Sequence, residues 1–376
     1  MVLLVFPLDM DASWPLVRAA RAIGVRTIGA SSASGAPDGV AVDAFVRLPF
    51  VTDPAFAAAL RAVVREHGVT TVHTAHEGVW RRLHQLLSES VDDCRFALCG
   101  PDPFAAIRER YRLPQAWGAA MSASRMAEWI GEGPLREPLP ELAAAALHEL
   151  VFNTPGQTDQ DKLAALCEIA RVLPEGDMVE IGSLYGRSAL ALGFLARSQR
   201  IGNLICVDPW HLDEIEAQGA GAALLTEGLA DTDPESIYRI FLLKTCILGN
   251  VGAIRRASVP AFELYCAARR AGVLHSDLGA IELSAQLSLL HVDGNHRYEH
   301  VRQDIALWSA CLAPGGWLLV DDYVWAFGDG PRRAGDELLV SGDYDSAFVA
   351  GDTLFLRRAS RRAHLAQERQ DMNAQS

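Results

Sequence analysis

Short apolar runs alternate with helical stretches along most of this chain. That alternation restricts it to α/β architectures built on parallel sheets. "VLLVFP" reads as a strand, 12–23 as a helix, and "VRTIGAS" and "AFVRLPF" as further strands. A helix over 54–67, the strand "VTTVHTA", a helix over 78–87 and the strand "RFALCG" complete a first series. Over 126–150, "MAEWIGEGPLREPLPELAAAALHEL" mixes Gly and Pro with helix formers, and a second series starts with a helix over 161–173. It runs through "DMVEIGS", "NLICVDP", "VGAIRRAS", "LSLLHVDG" and "GGWLLVDDY", with helices between them and a long, partly helical insert over 211–248. The end differs: "YDSAFVAGDTLFLRRA" is two alternating strands about a Gly-Asp turn, a hairpin signature. At 376 residues the chain exceeds one ordinary domain. The expected organisation is a Rossmann-like accessory α/β domain over 1–125 and a helical connection over 126–154. A Rossmann-like sheet ending in an antiparallel hairpin follows over 155–358, then a frayed tail over 359–376.

The formal net charge of -13 argues against a nucleic-acid backbone or an anionic membrane as partner. No apolar run approaches the length of a membrane span. The opening "MVLLVFPLDMD" lacks a basic n-region and a small-residue cleavage site, so it reads as a first buried strand and not a signal peptide. The 7 cysteines are scattered without CxxC or zinc-type spacing, as in a reduced cytoplasmic protein. Lysine occurs only at Lys162 and Lys244, which nearly removes it from the candidate bases. Exposed sheet edges are compatible with a homo-oligomer, and the insert with a lid or an oligomer contact.

In "VEIGSLYGRSA" an acid, Glu180, lies near the end of an apolar strand, and Gly182 and Gly186 bracket the turn into a helix. Gly182 permits backbone close to a ligand and Gly186 permits tight strand–helix packing. The spacing is not the G-x-G-x-x-G of a dinucleotide site, and a carboxylate here repels phosphate but suits the amine of an amino acid moiety. Ser183 and Ser188 add hydroxyl groups at the helix start. Asp208 ends the next strand, where an acid accepts hydrogen bonds from a ribose diol. Trp210 either packs on a purine ring or belongs to the core. Ser258 follows a third strand, where an adenine contact would lie.

Asp293 ends "LLHVDG", and Asp321 and Asp322 end "WLLVDD". In a doubly wound sheet with these strands adjacent, the three carboxylates converge, since neighbouring strands lie roughly 4.8 Å apart. Three like charges at such range need a counter-charge. A divalent cation is one solution, and an all-oxygen set favours Mg²⁺ or Ca²⁺. The other reading has Asp321 and Asp322 capping the turn after their strand. His291 inside the strand reads as a packed core histidine. Tyr323, Trp325 and Phe327 either wall an acceptor or close the core beneath the hairpin.

Taken in order, "EIGSLYGRSA", "VDPW", "LLHVDGNHRYEHVRQDI" and "LAPGGWLLVDDY" resemble a class I S-adenosylmethionine (SAM)-dependent methyltransferase over roughly 155–358. The nearest likeness is to bacterial metal-dependent small-molecule and sugar O-methyltransferases of the macrocin, mycinamicin and novobiocin type. The resemblance implies that the Gly182 turn holds the methionine part of the cofactor and Asp208 its ribose. It also implies that Asp293, Asp321 and Asp322 hold Mg²⁺, which gathers the hydroxyls of a small acceptor. In that family the residue two after the first metal aspartate is commonly acidic and proposed as base. Here it is Asn295, so the role passes to the neighbouring His296, whose ordinary pKa of about 6.5 suits it. His296 and His300 do not form a zinc motif, because Arg297 stands where H-E-x-x-H has glutamate.

The first half resembles the small amino-terminal domain that precedes the ATP-grasp fold in biosynthetic ligases. That likeness rests on "VLLVFPLD", "GVTTVHTAHEG" and "ALCGPDPFAAIRERY". The lysine-bearing lobes of such ligases do not follow, so ligase activity is not implied. His73 and His76 read as polar caps of a strand-end loop ahead of a metal pair. The expected activity is therefore O-methylation of a small hydroxylated molecule of specialised metabolism. N- or C-methylation and a non-catalytic SAM-binding partner of a biosynthetic enzyme are the alternatives.

Overall fold

The computed structural model describes residues 1–33, 35–89, 95–131, 134–211 and 233–359. They fall into two compact units, Met1–Leu113 and Pro114–Ser376.

In the first unit, β1 (Val2–Val5), β2 (Arg26–Ser31), β3 (Ala44–Arg47), β4 (Thr71–His73) and β5 (Ala97–Leu98) form one parallel sheet in the order β3-β2-β1-β4-β5. Helices cover both faces, which is why β1 and β2 read as near-continuous apolar runs. Leu4, Ile28 and Val72 pack with Phe56, Leu60 and Leu83 on one face. His76 turns its Nδ1 back to accept from the Gly78 amide at 3.0 Å, so it caps the helix Glu77–Glu89. Among the described residues, no group of potential metal ligands includes His73 or His76.

The second unit is built on β6 (Asp177–Ile181), β7 (Leu204–Val207), β8 (Val251–Ile254), β11 (Leu287–Val292), β12 (Leu312–Val320), β13 (Tyr344–Ala350) and β14 (Thr353–Arg358). Their order is β13-β14-β12-β11-β6-β7-β8, parallel except for the closing hairpin. The hairpin turns at Gly351 and Asp352, as the sequence predicts. A two-stranded ribbon of β9 (Val273–Ser276) and β10 (Gly279–Glu282) and the helix Gly330–Leu339 were not anticipated.

Side chains alternate across this sheet. Met178, Cys206, Leu289, Trp317 and Leu319 face the helices Glu141–Phe152, Gln160–Ala170 and Arg187–Ser198. Val179, Ile181, Val207, Leu290, Val292, Leu318 and Val320 face the helices Ser258–Ala271 and Tyr298–Trp308. The chain reverses direction across the sheet at β6 and β11, the switch point where α/β folds open a ligand crevice.

The boundary after Leu113 lies earlier than the expected 125, inside the helix Pro103–Ser122. The reason is packing: a Cβ on Gly118 would overlap the Glu141 backbone, so this end of the helix lies hard against the helix Glu141–Phe152. That second helix buries Ala144, Leu147 and Val151 in the sheet core, so the expected connection is part of the domain. Most of the predicted insert (212–232) and the tail (360–376) lie outside the described residues, as does Cys94; the other six cysteines are free thiols. Among the described residues, no helix is long and apolar enough to cross a membrane.

Candidate active site

At the end of β6 the chain turns through Gly182 at φ +87° and Gly186 at φ +90° before entering the helix Arg187–Ser198. A Cβ at Gly182 would overlap the carbonyl of Asp293, so only glycine lets the ends of β6 and β11 meet this closely. Asp208, just beyond β7, clamps the same turn. Its Oδ2 accepts from the amides of Ser183 and Leu184, each at 2.9 Å, and its Oδ1 from the Trp210 amide at 2.7 Å. Burial raises the Asp208 carboxyl above the usual range, against those three donors.

Trp210 both packs into the core and lines the cavity described below. Its Nε1 donates to the Leu184 carbonyl at 2.8 Å, and its ring packs 4.7 Å from both Tyr238 and Phe241. Ser258 opens the helix Ser258–Ala271, and its Oγ accepts from Trp308 Nε1 at 3.0 Å.

Glu180 departs most from expectation. Strand alternation turns it away from the crevice, and it is fully buried. Its Oε2 accepts from Ser183 Oγ at 2.6 Å, and its Oε1 lies 3.1 Å from His291 Nδ1. His291 is its cross-strand neighbour and, on its other side, has Nε2 3.7 Å from Asp321 Oδ2. Asp321 in turn holds Lys162 Nζ at 2.5 Å and accepts from the Thr353 hydroxyl. Glu180, His291, Asp321 and Lys162 thus form a continuous line of buried contacts beneath the turn. Burial and Lys162 pull the His291 pKa down, but the two carboxylates outweigh them and lift it to about 9. Burial works against the charge of Asp321 too, and Lys162 holds its carboxyl well below the usual range. Lys162 and the role of His291 were missed from sequence. The available signal was Lys162 next to Leu163 and four before Leu166, on the apolar stripe of its helix.

The two adjacent aspartates diverge for the same geometric reason. Asp321 continues the β12 face that carries Trp317 and Leu319, and Asp322, at φ +51°, turns to the other side. There Asp322 Oδ2 lies 2.5 Å from His296 Nε2, and Asp293 Oδ1 lies 3.8 Å from the same nitrogen. The His296 ring also packs on Trp325 at 4.5 Å. Burial opposes the imidazolium, but Asp293 and Asp322 outweigh it and raise His296 to about 10. Asp293 is raised to about 8, first by burial and then by the charge of Asp321. Asn295 is engaged at the helix start, its Oδ1 accepting from the Arg297 amide at 3.0 Å.

These groups open on a cavity of about 420 Å³ at the carboxyl ends of β6, β7, β11 and β12. Gly182, Ser183, Ser188, Asp208, Trp210, Ser258, Asp293, His296, Asp321 and Asp322 all line it, whereas Glu180 and Gly186 do not. Its size is that of a small-molecule site. The backbone cradle, apolar walls at Ile181 and Val207, and carboxylates at one end fit a cationic donor such as SAM. Of the aromatics, Trp325 lines the cavity, while Tyr323 packs under the helix Gly330–Leu339 and donates to Asp336 at 2.6 Å.

The predicted three-aspartate Mg²⁺ set does not fit this arrangement, because both oxygens of Asp321 are engaged, one of them by an ammonium. Two overlapping groups do converge, His291–Asp293–Asp321 and Asp293–His296–Asp322, each with atoms within 4.8 Å of one another.

Residues 179–323 match the family model of a methyltransferase domain, a span that takes in Gly182, Asp208, Asp293 and the aspartate pair. No curated protein matches the chain. Among solved structures it is similar to the O-methyltransferase NovP, at 17% identity and a TM-score of 0.35, over 68% of this chain and 99% of that one. It is also similar to CalS11, a TDP-rhamnose 3′-O-methyltransferase of calicheamicin biosynthesis, at 14% identity and a TM-score of 0.34, over 59% and 97% of the two chains. An O-methyltransferase from Bacillus cereus in complex with SAH gives 12% identity and a TM-score of 0.37, over 68% and 100%.

Proposed function

We propose that this chain, whose residues 179–323 match a methyltransferase domain, is a class I SAM-dependent methyltransferase that methylates a hydroxyl of a small, specialised metabolite. The observation that carries this reading is His296 opening on the same cavity as the glycine turn, with Asp322 and Asp293 against its ring. The acceptor oxygen attacks the sulfonium methyl, the C–S bond breaks with its electron pair going to sulfur, and the hydroxyl proton passes to the ring nitrogen of neutral His296 that Asp322 does not hold. Asp322 orients the ring and stabilises the imidazolium that forms. The arriving sulfonium favours the ionised form of Asp293, and its positive charge lowers the proton affinity of His296. Asn295 cannot take a proton near neutral pH, so it contributes a hydrogen bond only.

The alternative expectation, magnesium assistance, would draw on Asp293, Asp322 and His296 and leave Asp321 out. An ion held there supplies a Lewis acid for the hydroxyl. The first unit, which resembles a pre-ATP-grasp domain, has no step in this scheme.

His296→Ala is expected to lower kcat by about 10²–10⁴-fold while SAM affinity by calorimetry stays unchanged. In the wild type the rate rises with pH on a limb above 6.5, because the base must be neutral and its pKa is raised toward about 10. The variant lacks that limb; equal turnover by both proteins would remove His296 as base. Asp208→Ala is expected to weaken SAM binding by about tenfold or more, since each orphaned amide costs roughly 1–3 kcal/mol. Unchanged affinity would dissociate the clamp from cofactor binding.

A further inference from the structure

We propose that Lys162 is the resident cation of the aspartate crevice, occupying the place of a metal at Asp321 and holding the cofactor turn in shape from below. The proposal rests on the methyltransferase reading of this cavity. Lys162 is 2% exposed, and its ammonium meets Asp321 Oδ2 at 2.5 Å. Its backbone is fixed as well: Asp159 caps the helix Gln160–Ala170 by accepting from the Lys162 amide at 2.8 Å. Thr353, on the closing hairpin, occupies the second oxygen of Asp321. A divalent ion at Asp321 would sit within a few ångströms of a buried ammonium, where repulsion is weakly screened.

The same contact has a reach beyond Asp321. From Lys162 the contacts run through Asp321 and His291 to Glu180, which accepts the Ser183 hydroxyl at 2.6 Å. Ser183 is a cavity-lining residue of the glycine turn, and its amide is the one Asp208 holds. Lys162 is therefore a positioning residue: it neutralises Asp321 and so lets His291 orient Glu180 under the turn. The ordering that a metal would give this crevice is supplied by a side chain. The other lysine takes no part, since Lys244 donates to the Asn153 carbonyl.

The test uses the full chain and Mn²⁺ alone as probe, followed by electron paramagnetic resonance, with SAM titrated calorimetrically into the same samples. In the wild type, SAM affinity is expected to be the same in chelator and in Mg²⁺. Lys162→Gln, whose amide can still donate to Asp321, is expected to bind Mn²⁺ at least about tenfold more tightly. Adding Asp321→Asn to that variant should abolish the gain. A folded Lys162→Gln protein that binds Mn²⁺ no better than wild type overturns the proposal. If Lys162→Gln does not fold, the wild type decides. Wild-type Mn²⁺ binding that Asp321→Asn weakens overturns the proposal, and Mn²⁺ binding that Asp321→Asn leaves unchanged supports it. Failure of the methyltransferase reading looks different: SAM then binds in neither condition, while the Mn²⁺ comparison still reads the occupancy of Asp321.

Discussion

Gly182→Ala is expected to weaken SAM binding by roughly a hundredfold and to destabilise the domain. Two costs add at this position. The backbone is at φ +87°, where an L-residue loses about 1–2 kcal/mol relative to glycine. The new methyl group would also overlap the Asp293 carbonyl, and forcing atoms into such packed sites costs typically 1–3 kcal/mol. Relief requires β6 and β11 to separate at their carboxyl ends, which moves Asp293 and the amides that Asp208 clamps. If that strain falls on the binding-competent shape, about 3 kcal/mol corresponds to a loss of roughly a hundredfold in affinity. Calorimetry with SAM and a thermal melt measure the two parts separately. Affinity within twofold of wild type would show that the strand ends do not set the cofactor cradle.

Lys162→Met is expected to cost about 3–5 kcal/mol of stability, because it leaves a buried carboxylate without its partner. The loss should appear as a drop of roughly 10 °C in melting temperature. Removing both charges, as Lys162→Met with Asp321→Leu, should recover most of it, since an apolar pair of similar volume often replaces a buried ion pair at no loss. Acid supplies an independent check. The folded-state carboxyl of Asp321 is held below its ordinary range of about 3.9. Its stabilisation is therefore complete above that value and is lost as pH falls through the folded pKa. The double variant lacks this contribution, so its stability should fall less steeply below pH 4. An equal acid dependence in both proteins would mean that the pair contributes nothing to folding.

Much of the second domain was legible because its signals are local. A glycine-bracketed turn after an apolar strand, acids ending the next strands and two alternating runs about Gly351 and Asp352 each announce themselves within a few residues. That was enough to predict β6, β7, β11, β12 and the hairpin, and to nominate Gly182, Ser183, Ser188, Asp208, Asp293 and His296 for a crevice that they do line. The division after Leu113 rests instead on contacts between distant segments. Gly118 packing on the helix Glu141–Phe152 is a contact between segments that look independent in sequence.

The division is clearest among the charged groups. The sequence by itself determined that carboxylates gather at the ends of β11 and β12, since strand periodicity and parallel order require it. It also determined that they need a compensating charge. It did not determine what supplies that charge. The same periodicity sends Asp321 and Asp322 to opposite faces, and only the packed helix Gln160–Ala170 brings Lys162, 159 residues earlier, to one of them. Likewise Glu180 reads as a ligand for the cofactor until the fold pairs it with His291 below the floor. Long-range pairing of buried charges depends on which surfaces meet, and a one-dimensional pattern does not carry that information.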